Sequence, residues 1–178
     1  MKKTYIGLPL ILVGLLLLIF FGIQITKLQR TKELKDRQMD FLPEVCLPNL
    51  TDSLVCTANL DNRPLVIIFF DSHCESCKQE INGLYKHKTG FSNTNIIMVT
   101  TDSKESCIDF SNRYKLHELP NLQILRDSTG MFMQMARVIG VPESLIYNNH
   151  KQLVKRFTGE VKATTLLEYI KQLQISEN

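Results

Sequence analysis

The chain is short of cysteine. It holds five in 178 residues, too few for a disulfide scaffold. Glycine and proline are also sparse, at eight and six. There is no internal repeat and no low-complexity tract. With 44% hydrophobic and 22% charged side chains, these shortages exclude a disordered chain, a collagen-like chain and a small disulfide-dense knot. The length suits one domain of ordinary size, or one domain plus an appendage. Charge of one sign is scarce too. The net +3 arises almost wholly at the N-terminus, where residues 1–37 carry seven Lys/Arg against two acids. The rest carries 14 basic and 16 acidic side chains, a net −2. That balance gives no support to a nucleic-acid-binding face on the main domain.

One long hydrophobic run is present. Tyr5 to Ile25 is 21 residues without a charge, with Gln24 its one strongly polar side chain. A helix of that length, at ~1.5 Å per residue, spans a hydrocarbon core of ~30 Å. The alternative is a buried core helix, which is disfavoured because the stretch is apolar all round and not on one stripe. No small-x-small cleavage site follows it, so a retained anchor is expected in preference to a cleaved signal peptide. No cysteine stands just after the run, which disfavours lipid attachment there. Thr26 to Met39 reads as a polar stalk. The division expected is a membrane anchor and stalk over residues 1–37 and a single domain over 38–178. Two lysines precede the span and five Lys/Arg follow it, which by the positive-inside rule places the domain in the cytoplasm.

The domain alternates strands and helices. Leu65 to Phe70 is a continuous apolar run, as in a strand buried on both faces. Cys74 to Lys88 places Cys77, Ile81, Leu84 and Tyr85 on one helical stripe. Ile96–Thr100 reads as a second buried strand. Cys107, Phe110 and Tyr114 mark a helix, and Leu122–Leu125 a strand. Gly130–Val138 reads as a short Met-rich helix. Ser144–Tyr147 and Leu153–Phe157 form a hairpin through Asn148–Lys151, ended by Gly159, and a last helix carries Leu166, Leu167, Ile170 and Leu173. This order predicts a three-layer α/β domain.

The chemistry lies where the first strand meets the first helix. Asp71-Ser72-His73 leads into Cys74-Glu75-Ser76-Cys77. A helix N-terminus offers free N–H groups and a positive dipole end, which stabilise a thiolate. Cys74, at the cap, is the expected exposed nucleophile. Cys77, one turn on and on the apolar stripe, is the expected buried resolving thiol. The Cys74 thiolate would attack a substrate disulfide, and Cys77 would release the mixed disulfide. A zinc site normally needs a second ligand pair, and Cys46, Cys56, Cys107 and the four histidines are scattered. No metal and no cofactor beyond the Cys74–Cys77 disulfide is expected.

Buried strand, C-x-x-C, helix and a late Gly140-Val141-Pro142 before a strand resemble the thioredoxin superfamily. That resemblance implies a cis Pro142 beside the active disulfide, with Val141 and Pro142 offering backbone to substrate and His73 flanking the nucleophile. The closer resemblance is to membrane-anchored, TlpA-like or ResA-like thiol-disulfide oxidoreductases and related redoxins. Three features carry it: the anchor, an N-terminal hairpin over Leu42 to Pro64, and an added helix and strand over roughly Lys104 to Arg126. The expected fold is therefore thioredoxin-like α/β in three layers, with an N-terminal hairpin, a central helix–strand insertion and one transmembrane helix. Cys77-Lys78-Gln79-Glu80 resembles the family's C-x-x-C-K-x-E run, whose Glu is an acidic active-site residue; the alternative is that Glu80 is a solvated helix residue. A carboxylate there would relay a proton to or from Cys77 or a leaving thiolate. The resemblance further implies protein thiol and disulfide substrates, an upstream membrane electron donor, and a domain on the extracytoplasmic, periplasmic side of a bacterial inner membrane. That last point opposes the flanking-charge count.

Several residues depart from the family pattern. His73 replaces the aromatic residue before the first cysteine, and the chain has no Trp. Protonated His73 would help hold the Cys74 thiolate; otherwise it is an exposed turn residue. Glu75-Ser76 replaces a proline-containing dipeptide. Glu143 stands where Thr is usual and is expected to alter the substrate groove. A peroxiredoxin-like peroxidase is the enzymatic rival, but it wants Thr or Ser at position 71 and Pro at 67, which are Asp71 and Ile67 here. A copper-delivery protein of this fold would want a C-x-x-x-C. A non-catalytic thioredoxin-fold binding module is the third reading. A hairpin centred on Thr51 would set Cys46 opposite Cys56 and permit a structural disulfide, although Pro48 disturbs a simple ladder. The alternative is two small core residues. Cys107 is read as core.

Overall fold

The structure is a computed structural model that describes residues 41–176 together with Gly14, Leu17, Phe20 and Gln24. The chain divides into two units, Met1–Gln38 and Met39–Asn178. The expected span, residues 5–25, lies outside the described residues apart from those four positions. Among the described residues no helix is long and apolar enough to cross a membrane.

In the second unit a short hairpin comes first, β1 (Cys46–Pro48) and β2 (Leu54–Cys56). Then follow β3 (Leu65–Phe69), α1 (Glu75–Lys86), β4 (Asn95–Thr100), α2 (Lys104–Arg113) and β5 (Leu122–Arg126). The chain ends with α3 (Met131–Met135), β6 (Glu143–Tyr147), β7 (Leu153–Thr158) and α4 (Ala163–Ser176). The five-stranded sheet has the order β5-β4-β3-β6-β7. β3, β4 and β5 are parallel; β6 and β7 join antiparallel.

β3 and β4 are buried along their whole length, as the unbroken apolar sequence of β3 and the Ile96–Val99 run of β4 require. Side chains alternate across the sheet and so divide β3 between two cores. Val66, Ile68 and Phe70 pack with Ile81 and Leu84 of α1, Phe110 of α2, and Leu166 and Ile170 of α4. Leu65, Ile67 and Phe69 pack on the other face with Leu47 of the hairpin and Phe132 of α3. Two parallel crossovers in the same direction along the sheet place α1 and α2 on one face. Phe69 meets Phe132 edge-on at 5.3 Å, and Phe70 meets Phe110 at 5.2 Å. The three layers, the hairpin and the Lys104–Arg126 insertion therefore match expectation.

The differences are local. The Met-rich helix is confined to Met131–Met135, because Gly130 before it and Arg137 after it adopt left-handed φ of 68° and 52°. Pro48 does not break the hairpin. It pairs with Leu54, and the turn is closed by the Asn49 N–H on the Ser53 carbonyl at 2.9 Å. Cys46 lies directly opposite Cys56, and the two are disulfide-bonded. Asp52, at φ 61° in that turn, pairs with Lys104 at the start of α2 and with Arg126 at the end of β5. Cys107 is fully buried, and burial pushes its thiol up to about 11.

Candidate active site

β3 ends at the site, and a short turn hands the chain to α1. The Phe70 N–H reaches the Val99 carbonyl at 2.9 Å, continuing the parallel ladder by one bond. The Asp71 carboxylate accepts the His73 N–H at 2.7 Å, and the Asp71 carbonyl accepts the Cys74 N–H at 3.2 Å. The Ser72 N–H donates to the Asp102 carboxylate at 2.7 Å, tying the turn to the connection before α2. Asp102 carried no signal in the sequence that could have found it, because its partner lies 30 residues away.

Cys74 is the N-cap of α1. Its half-buried Sγ accepts the Cys77 N–H at 3.3 Å and contacts the Val141 carbonyl at 3.7 Å. The sulfur thus fills the place an Asp or Ser side chain takes at an ordinary helix cap. Cys77, one turn on, is buried at 1% exposure. Burial pushes its thiol well above the usual range, and the neighbouring Cys74 and the Glu80 charge push the same way. One sulfur is reachable and cradled by a backbone N–H. The other is buried and holds its proton.

The Val141–Pro142 bond is cis, and Pro142 is buried. Its carbonyl accepts the Gly159 N–H at 2.9 Å, which anchors the loop to the end of β7. The structure brings together Cys74, Cys77, Val141 and Pro142 from regions far apart in sequence.

Glu80 is not a solvated helix residue. It is 2% exposed on the inner face of α1. The Ser144 hydroxyl donates to one carboxylate oxygen at 2.6 Å, and the Val161 N–H donates to the other at 3.2 Å. Those bonds favour the charged form, but burial outweighs them and raises the carboxyl to about 7. Glu143 requires a correction. It is fully buried and ion-paired with Arg156, so it lines no groove. Arg156 also donates to the Ala136 carbonyl at 3.0 Å, which joins β7 to the end of α3. A buried acid needs a counter-charge, and the hairpin supplies it from the neighbouring strand.

His73 lies in the turn before Cys74. Its side chain is 83% exposed and lies 3.4 Å from the Asp71 carboxylate. Asp71, His73 and Asp102 bring three ligand-type atoms within 4.8 Å of one another. Both carboxylates there already accept backbone N–H groups of the turn.

Comparison with known proteins agrees with this geometry. A secreted disulfide oxidoreductase of Mycobacterium tuberculosis, homologous to E. coli DsbE, superposes with a TM-score of 0.62 at 19% identity, over 78% of this chain and 99% of that one. Peroxidoxin BcpB from the same organism superposes with a TM-score of 0.66 at 14% identity, over 75% of this chain and 96% of that one. An uncharacterized protein of Haemophilus influenzae is 27% identical over 126 residues, 68% of this chain and 81% of its own. The two superpositions show a shared thioredoxin-like fold. The AhpC/TSA family model matches residues 39–158, a stretch that holds the hairpin, the C-x-x-C turn, the insertion and the cis-proline loop, and the chain belongs to that family.

Proposed function

We propose that the protein is a membrane-anchored thiol-disulfide oxidoreductase that reduces disulfides of extracytoplasmic proteins. The observation that carries the reading is the placement of Cys74. Its sulfur is reachable, sits under the Cys77 N–H at the cap of α1, and faces the Val141 carbonyl. The buried Cys77 thiol lies within the same turn.

In the forward step the Cys74 thiolate attacks a client disulfide. A Cys74–client bond forms, the client S–S bond breaks, and one client thiolate leaves. The backbone beside Pro142 is placed to align the client chain. Cys77 then attacks Cys74, closing the Cys74–Cys77 disulfide and releasing the second client thiolate. Cys77 must lose its proton for this, although its surroundings hold that proton tightly. Glu80, with a carboxyl near 7, is matched to take it and pass it on. A membrane electron donor would return two electrons to the pair, and Tyr5–Ile25 would hold the domain beside it.

The family match and the peroxidoxin neighbour favour a second reading, peroxide reduction at Cys74. Asp71 and Ile67, where such enzymes want Thr or Ser and Pro, weigh against it.

The reduction potential of the full chain, measured in glutathione and dithiothreitol buffers with a Cys74→Ser control, tests the proposal. The expected result is a Cys74-dependent two-electron couple below about −220 mV, on the scale where thioredoxin lies near −270 mV. A couple near −120 mV would make the protein a disulfide donor. Absence of any Cys74-dependent couple would leave a binding module. Rapid Cys74-dependent consumption of hydrogen peroxide would move the assignment to the peroxidase.

A further inference from the structure

Beside the C-x-x-C turn, α2 and the start of α1 line an open pocket of about 290 Å³. One wall is Ser72 and His73, the two residues before the nucleophile, and Lys78 follows the resolving cysteine. The other wall is α2, which supplies Ser106, Asp109 and Arg113, with Phe110 between them. At the small end of ligand pockets, which start at about 300 Å³, it has room for a side chain and little more.

Its lining cations are Lys78 and Arg113, against one lining acid, Asp109. The Asp71 and Asp102 carboxylates border the His73 and Ser72 wall but are taken up by that turn, and the Ser72 and Ser106 hydroxyls bond to His73 and Ser103. Lys78 is occupied by Glu75 at 3.2 Å. Arg113 is exposed, and its guanidinium has no ion-pair or hydrogen-bond partner among the described residues. The Ser72 wall is held in place by Asp102, and the Ser103 hydroxyl caps α2 by accepting the Ser106 N–H at 3.2 Å. Both walls are therefore fixed before anything binds, which lowers the cost of ordering them.

From this arrangement we propose that the pocket is a specificity subsite for a carboxylate side chain on the client polypeptide, placed close in sequence to the attacked cysteine and held chiefly by Arg113. The inference rests on the oxidoreductase reading above and adds the class of client. A client whose sulfur bonds to Cys74 already touches the residue after His73. His73 itself lines the pocket, so the residues flanking the client cysteine are the ones within reach of it. Guanidinium and carboxylate match in shape and charge.

The test is single-turnover reduction by the pre-reduced full chain in detergent. The substrates are two symmetric peptide disulfides that differ only in Glu or Lys two residues after the cysteine. Each turnover breaks the peptide S–S bond, forms the Cys74–Cys77 bond and moves two electrons and two protons to the peptide, so no further reductant is needed. The wild type is expected to reduce the Glu peptide about threefold to fivefold faster, the range of a partly exposed charge pair. Arg113→Glu should invert the ratio, and Asp109→Asn should widen it; both positions are exposed, and far-UV circular dichroism of each variant checks its fold before the rates are compared. High salt should compress all the ratios. Equal rates for the two peptides in the wild type, or an unchanged ratio in Arg113→Glu, would overturn the subsite while leaving the oxidoreductase reading intact. Failure to reduce either peptide would remove that reading and the subsite together.

Discussion

Glu80 shows how one side chain can carry both stability and chemistry. Burial raises its carboxyl from 4.5 to about 7, against the pull of Ser144 and Val161. The folded state therefore holds a proton that the unfolded chain has already lost at the same pH. Stability from this group is fully present below pH 4.5 and is lost as pH rises through 7, a swing of about 3 kcal/mol at 1.36 kcal/mol per unit. Urea unfolding of Glu80→Gln should flatten that slope, and equal slopes in the two proteins would refute the assignment. The same variant should slow release of the mixed disulfide and remove an inflection near pH 7 from that step. The C-x-x-C-K-x-E spacing placed Glu80 one turn beyond Cys77, but its burial was not legible. The groups that enclose it, Ser144 and Val161, lie 64 and 81 residues further along the chain. Glu143 was misread for the same reason. Its partner Arg156 is set by the register of β6 on β7, which no local pattern reports.

At the scale of elements, local patterns were most informative where one element makes its own case. The run Leu65–Phe69 could only be a strand buried on both faces, and the apolar stripe of α1 fixed which face of that helix is inward. Cys74 at the cap follows from these two boundaries meeting. The N-terminal hairpin is different. Its strands have three residues each, too short to stand without help, and the cross-strand Cys46–Cys56 bond with the Asp52 pairs provides it. The sequence left that disulfide undecided because Pro48 argued against a regular ladder. Closing a loop with a sequence separation of 10 is worth about 3 kcal/mol by the chain-entropy argument. Replacing both cysteines by Ala should lower the denaturation midpoint accordingly. The Cys74–Cys77 couple should persist in that variant, since the hairpin packs on the opposite core. Loss of the couple along with stability would mean that the hairpin shapes the site.

At the scale of the whole molecule, the N-terminal charges and the cysteine chemistry give opposite orientations. Lys27, Arg30, Lys32, Lys35 and Arg37 follow the apolar run, against Lys2 and Lys3 before it, and the positive-inside rule reads that excess as cytoplasmic. A disulfide such as Cys46–Cys56 persists in oxidising compartments and is rare in the cytosol, where thiols are kept reduced. The extracytoplasmic placement proposed above follows the second argument, since charge counts near the ends of a span bias orientation without fixing it. The full chain should therefore sediment with membranes and resist extraction by salt and alkali, and a chain lacking residues 1–37 should not. In intact cells, a membrane-impermeant maleimide should label Cys74 once the pair is reduced, and the Cys74→Ser protein should escape labelling at that position. Labelling only after the membrane is opened would place the domain inside. The Cys46–Cys56 bond would then face a reducing pool, and the clients would have to be cytosolic proteins.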